Sequence, residues 1–121
     1  MRRTTEIYDL TKEKKAKIAE ELADFTIVCP HWGTEYQLVH NDDQAAIAQK
    51  LCDLGVDVII GNHPHMVQKI DFDQENGTLV AYSLGDFYGD ATKAGTNYSL
   101  ILDIQITKDN DMGTTRIDNF T

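Results

Sequence analysis

The chain has 121 residues, of which 41% are hydrophobic and 26% charged, the make-up of a folded globular chain of single-domain size. Twenty acidic residues against eleven basic ones give a formal net charge of -9, which argues against a nucleic-acid partner and against docking on anionic lipid, since both need a basic face. No apolar run approaches the roughly 18–20 residues of a bilayer span, and Arg2 and Arg3 precede a polar stretch rather than the apolar core of a signal peptide.

In chain order, residues 1–10 read as a flexible lead-in and residues 11–23 as a helix. Thr11 is suited to cap this helix, and Ile18, Ala19 and Leu22 recur at helical spacing. Residues 1–23 hold six basic and five acidic side chains, so the acidity belongs to the remainder. The run Phe25, Thr26, Ile27, Val28, Cys29 predicts a buried strand ended by Pro30. Asn41, Asp42 and Asp43 offer N-caps for a helix over residues 43–54, with Ile47, Ala48, Leu51 and Leu54 on one face and Gly55 as its C-terminal stop. A second β-branched strand over residues 56–60 follows, ended by Gly61. Helix–strand–helix–strand with nearly continuous apolar strands predicts an α/β fold with parallel pairing and both sheet faces covered.

The second half predicts β-hairpins. Residues 66–72 and 78–83 flank the Glu75, Asn76, Gly77 turn, and residues 98–107 and 114–120 flank a turn over 108–113. Residues 84–96 read as a long loop with Gly85, Gly89 and Gly95. Cys29 and Cys52 form no metal pair and no disulfide framework, and both read as buried free thiols.

Three histidines lie directly after the two predicted parallel strands, where α/β proteins place their sites. His63 and His65 flank Pro64, and an extended His-x-His segment sends both imidazoles to one face. His31 follows the other strand, so parallel neighbours would bring all three together as an open metal site. Imidazole ligands suit divalent Zn, Mn or Fe. The plainer alternative is that these are hydrogen-bonding turn residues. His40 has no comparable placement. Glu35 reads either as a carboxylate holding a histidine tautomer or as a solvated loop charge, and Trp32 and Tyr36 as packing residues.

The strings His31-Trp32-Gly33-Thr34-Glu35-Tyr36, then Gln44 opening a helix, then Gly61-Asn62-His63-Pro64-His65-Met66-Val67-Gln68, then Tyr82-Ser83-Leu84-Gly85-Asp86-Phe87 resemble the CapA family of bacterial capsule or poly-γ-glutamate synthesis proteins. That family is similar to the calcineurin-like metallophosphoesterases, and the resemblance spans roughly residues 20–105. It implies His31 and His63 on one metal of a two-metal centre and His65 on the other, with Asn62, Glu35, Tyr36, Trp32, Gln68, Ser83 and Asp86 as supporting or substrate-facing residues. Two positions depart from the pattern: Asn62 where the family often has histidine, and Asp86 where it usually has asparagine. The Asp86 carboxylate adds charge and removes an amide donor.

The family's Gly-Asp motif near the first strand has no counterpart around the first predicted strand here, and its Asn-Leu-Glu and Asn-Asn-His motifs do not occur in this sequence. The resemblance therefore implies a partial domain over residues 1–121, the C-terminal half of a metallophosphoesterase-like αββα sandwich. The expected consequences are weak binding of one divalent ion, little phosphoesterase turnover from this chain alone, and association through an uncovered sheet edge. Three functions follow for testing: a metal-dependent hydrolase acting on a phosphoester or related acyl or amide bond, a non-catalytic component for synthesis or export of an anionic polymer, and a folded remnant with idle histidines. The family's usual setting is membrane-associated or extracytoplasmic, while this chain itself makes no expected membrane contact.

Overall fold

A computed structural model describes residues 12–89 and 92–121 of the protein, without the side chains of residues 12 and 13. The expected lead-in over residues 1–10 and the Thr11 cap lie outside the described residues. The chain folds as a mixed α/β structure: α1 (Lys12–Leu22), β1 (Ile27–Val28), α2 (Asp42–Asp53), β2 (Val58–Ile60), β3 (Ile70–Asp73), β4 (Thr78–Ala81), β5 (Ile104–Asp109) and β6 (Thr114–Phe120). Strands β1, β2 and β4 pair in parallel and β3 adds antiparallel to β4, giving the order β1-β2-β4-β3. Strands β5 and β6 form a separate two-stranded sheet. No helix among the described residues is long and apolar enough to cross a membrane.

Helix α2 forms where the spacing predicts it. The Asn41 side chain accepts from the Gln44 N–H while Gln44 Oε1 accepts from the Asn41 N–H, a reciprocal cap. Its Ala48, Leu51 and Cys52 face packs on Ile59 and Val80 of the sheet and on Trp32 and Tyr82 beyond it. Strands β2 and β4 are buried on both sides, at Val58, Ile59, Leu79, Val80 and Ala81, which is why their sequences show no polar alternation. The predicted Asn76–Gly77 turn closes the β3–β4 hairpin, with the Gly77 N–H donating to Asp73 O at 2.7 Å.

Expectations change at β1 and at β5. The strand expected over residues 25–29 is only Ile27–Val28, and Cys29, expected to be buried, is exposed, whereas Cys52 is buried as expected. β1 is the sheet edge, so among the described residues it has one strand neighbour, and Ile27 stays 52% exposed. The strand expected from residue 98 starts at Ile104 instead, because the preceding stretch pairs with the segment after β4: Gly85 bridges Ser99, and the Leu100 N–H donates to Leu84 O at 2.9 Å. The β5–β6 hairpin docks through the Phe72–Phe120 ring stack and the Lys108–Asp24 ion pair.

Two carboxylates meet where α1 hands over to the sheet. The Thr26 N–H donates to Asp57 Oδ2 at 2.8 Å, and the Thr26 hydroxyl donates to Glu20 Oε1. Burial raises the Glu20 carboxyl above its ordinary value, opposed by the Thr26 hydroxyl and reinforced by the charge of Asp57. Burial likewise raises Asp57, opposed by its bonds from Thr26. A carboxyl raised in the fold keeps a proton that the unfolded chain has released, so its contribution is full below the ordinary carboxylate range and is lost as pH climbs through the raised value. Glu20→Gln keeps an acceptor for Thr26 and removes the charge. It is expected to raise stability at pH 7 and to flatten the decline between pH 5 and 7. Urea denaturation at both pH values checks this, and an unchanged decline in the variant contradicts it.

Candidate metal centre

The site lies at the carboxyl ends of the parallel strands. Ile27 pairs with Val58 and Val28 with Ile59, and the same register continues past the strands to bridge His31 and Asn62. Backbone bonds zip the two loops together: Asn62 N–H to Pro30 O and Trp32 N–H to Asn62 O, each 3.0 Å, then Tyr36 N–H to Pro64 O at 2.8 Å. Parallel register, not proximity in sequence, brings the two histidine segments side by side.

The loop chain is bent sharply at three places. Among the described residues, the non-glycine residues with positive φ are Tyr36 (62°), His63 (104°) and His65 (61°), and all three lie at this site. The expectation of an extended His-x-His segment is therefore corrected. The bonds of Asn62 and of Pro64 O both run to residues 30–36, and the positive φ of His63 falls between them, with that of His65 just after. The Asn62 side chain supports the bend by accepting the His63 N–H at 2.7 Å. Left-handed backbone at such residues costs on the order of 1–3 kcal/mol each, and such conformations cluster at functional sites.

Among the described residues, Glu35 joins His63 and His65 in a group that could hold a metal ion. One ligand atom each from Glu35, His63 and His65 lies within 4.8 Å of the others. The His31 ring sits beside His63, with centroids 4.3 Å apart, at the margin of this group. His65 faces Glu35 with Nε2, 3.4 Å from Oε1, and turns Nδ1 toward Asp86, 3.0 Å from both carboxylate oxygens. If Nδ1 carries the hydrogen donated to Asp86, Nε2 keeps its lone pair for the Glu35 side, the arrangement by which a carboxylate orients a metal-binding imidazole. Two imidazoles and a carboxylate converging on one point fit a divalent ion of the Zn, Mn or Fe type.

The remaining residues singled out in the sequence take different places. Trp32 is buried in the core and donates from Nε1 to Tyr82 O at 2.9 Å. Tyr36 is exposed and stacks on His65, with ring centroids 5.4 Å apart. Gln68 is buried. Its amide donates to Gln37 O and its Oε1 accepts from Gln44, both at 2.9 Å, so it braces the loop that carries Glu35 from behind. Ser83 is buried too, with its hydroxyl accepting from the Gly85 N–H at 3.3 Å. His40, set aside in the sequence, stacks on Tyr82, with ring centroids 3.9 Å apart. Sequence reasoning missed the Asp86–His65 pair, which joins residues 21 positions apart across two loops.

Comparison with known proteins adds an independent line. The family model described as "Bacterial capsule synthesis protein PGA_cap" matches residues 4–91. The chain is 38% identical over 90 residues, 74% of its length, to a protein of Bacillus subtilis (strain 168) named PGA biosynthesis protein CapA. It is 34% identical over 96 residues, 79% of its length, to the capsule biosynthesis protein CapA of Bacillus anthracis. The matched stretches are 23% and 22% of those relatives, so the chain spans less than a quarter of the length of each.

Proposed function

We propose a function from one premise: the chain belongs to the PGA_cap family of bacterial capsule synthesis proteins. In our reading it carries a metal-binding part of a hydrolytic centre that serves capsule or poly-γ-glutamate biosynthesis. The observation that carries the reading is the convergence of Glu35, His63 and His65, with Asp86 holding the far side of His65. Glu35 and the two imidazoles would hold one divalent ion, which supplies Lewis-acid polarisation of a phosphoryl or acyl oxygen. Asp86 fixes the tautomer and tilt of His65. Tyr36 covers one face of that imidazole and limits its rotation. His31, beside His63, is placed to hold or pass a proton at the edge of the centre.

A two-metal clamp needs donors for both ions. The described residues group three donors about one point, so the isolated chain is expected to bind one equivalent weakly and to turn over phosphoesters little. Calorimetric titration with Zn2+ and Mn2+, with elemental analysis, tests this. Glu35→Ala and His65→Ala are each expected to abolish binding, and Asp86→Ala to weaken it roughly 10–100-fold. Binding that survives His65→Ala, or full turnover by the isolated chain, overturns the reading. The relatives' names, which refer to biosynthesis, favour a second reading: a component that holds an anionic polymer without cutting it. Metal-dependent retention of a glutamate oligomer with no new chain ends would select it.

A further inference from the structure

Beside the metal-binding group lies a half-open cavity of about 330 Å3 whose walls include Tyr36, His65, Asp86, Tyr88, Lys93 and Thr96. Lys93 has no part in the metal reading. Its ammonium lies 4.6 Å from the centroid of the Tyr36 ring, and that ring stacks on His65. The cation is therefore held one aromatic ring away from a ligand imidazole.

Its backbone is held as well. The Lys93 carbonyl accepts from the Thr96 N–H at 3.1 Å and from the Thr96 hydroxyl at 2.7 Å, and Thr96 is buried. Gly95 seats this turn on the histidine loop: its φ is +89°, and a Cβ there would stand 2.4 Å from Cε of Met66, the neighbour of His65. Among the described residues, the ion pairs of the chain leave Lys93 without a carboxylate partner.

Charge decides what such a pocket attracts. Among the described residues, Asp86 on the cavity wall and Glu35 beside His65 bring two negative charges, which a divalent ion would cancel. Counting the described residues, Lys93 then leaves the pocket with one net positive charge inside a chain of net -9. Without the ion the same pocket is negative and repels anions.

We infer that Lys93 is the anion anchor of this centre: its ammonium binds a carboxylate or phosphate of the substrate that flanks the group presented to the metal. This rests on the metal-binding reading above. Carboxylate and phosphate share the chemistry Lys93 recognises, and the experiment separates them.

Mn2+ binding to the full chain is measured first, from the electron paramagnetic resonance signal of free Mn2+. Glutarate and inorganic phosphate are then titrated calorimetrically into the Mn2+-loaded chain and into the chain in EDTA. Wild type is expected to bind anions only when loaded, with the tighter of the two probes naming the substrate group. Lys93→Gln is expected to weaken that binding about tenfold with Mn2+ affinity unchanged, and Lys93→Arg to retain most of it. Equal anion binding by Lys93→Gln and wild type overturns the inference and leaves the metal reading intact. A wild-type chain that takes up no Mn2+ overturns the metal reading, and the inference with it.

Discussion

Gly61→Ala is expected to cost about 3 kcal/mol of folding stability. A Cβ at residue 61 would stand 2.1 Å from Trp32 Nε1 and 2.2 Å from Tyr82 O, within the hydrogen bond that joins them. One of the two crowded atoms is backbone, and the other belongs to a buried indole in the core cluster, so neither side yields cheaply. Overpacking accounts for roughly 1–3 kcal/mol, and parting the buried Trp32–Tyr82 bond adds about 1 kcal/mol or more. Gly77→Ala is the comparison: its Cβ meets nothing within 4 Å, and only its φ of +70° opposes the change. Strain of that kind costs about 1–2 kcal/mol. Urea denaturation of both variants checks the difference, and a Gly61→Ala cost no greater than that of Gly77→Ala would show that the close approach is not what Gly61 provides. Because Gly61 leads directly into the histidine loop, metal affinity is expected to fall in the same variant.

His63→Gly is expected to separate stability from metal binding. His63 has a φ of 104°, outside the left-handed well that Tyr36 and His65 occupy, and glycine enters that region freely. Relief of the strain is expected to raise metal-free stability by about 1 kcal/mol, net of the extra freedom glycine gives the unfolded chain. The cost appears with metal present. A ligand bound only by the folded state stabilises it by about 2.7 kcal/mol at a hundredfold excess over its Kd, and that gain is expected to vanish in the variant. Thermal melts of both proteins with and without Mn2+ read both effects. A variant that keeps the metal-induced rise would remove His63 from the donor set, and one less stable than wild type without metal would show that relief of the backbone does not outweigh loss of the His63 ring and its contact with His31.

The parts of this fold that were legible in the sequence depend on near neighbours. Asn41 and Gln44 cap α2 across three residues, Gly55 ends it, and the Asn76–Gly77 pair turns β3 into β4. The β-branched stretches around Ile59 and Val80 announce buried strands, and the loops after parallel strands are where ligand chemistry collects. What was misread depends on position in the whole. Cys29 belongs to a strand-like run, but only its place at the sheet edge leaves it exposed. Residues 98–103 have strand composition, yet the stretch after β4 competes for their pairing through Gly85 and Leu84.

The donor group divides the same way. Local pattern identified His31, His63 and His65 and the loops that carry them, because residue type and the strand before each loop are properties of a short stretch. Which of them meet Glu35, and which nitrogen of His65 faces Asp86, was decided by tertiary structure. The parallel register sets His31 against Asn62, the reversed backbone at Tyr36, His63 and His65 aims the donors, and the segment after β4 delivers Asp86. The register is a pairing of distant segments held by backbone hydrogen bonds, while Asp86 meets His65 through their side chains. Side-chain identity therefore names the chemistry, and the register of the sheet chooses which side chains perform it.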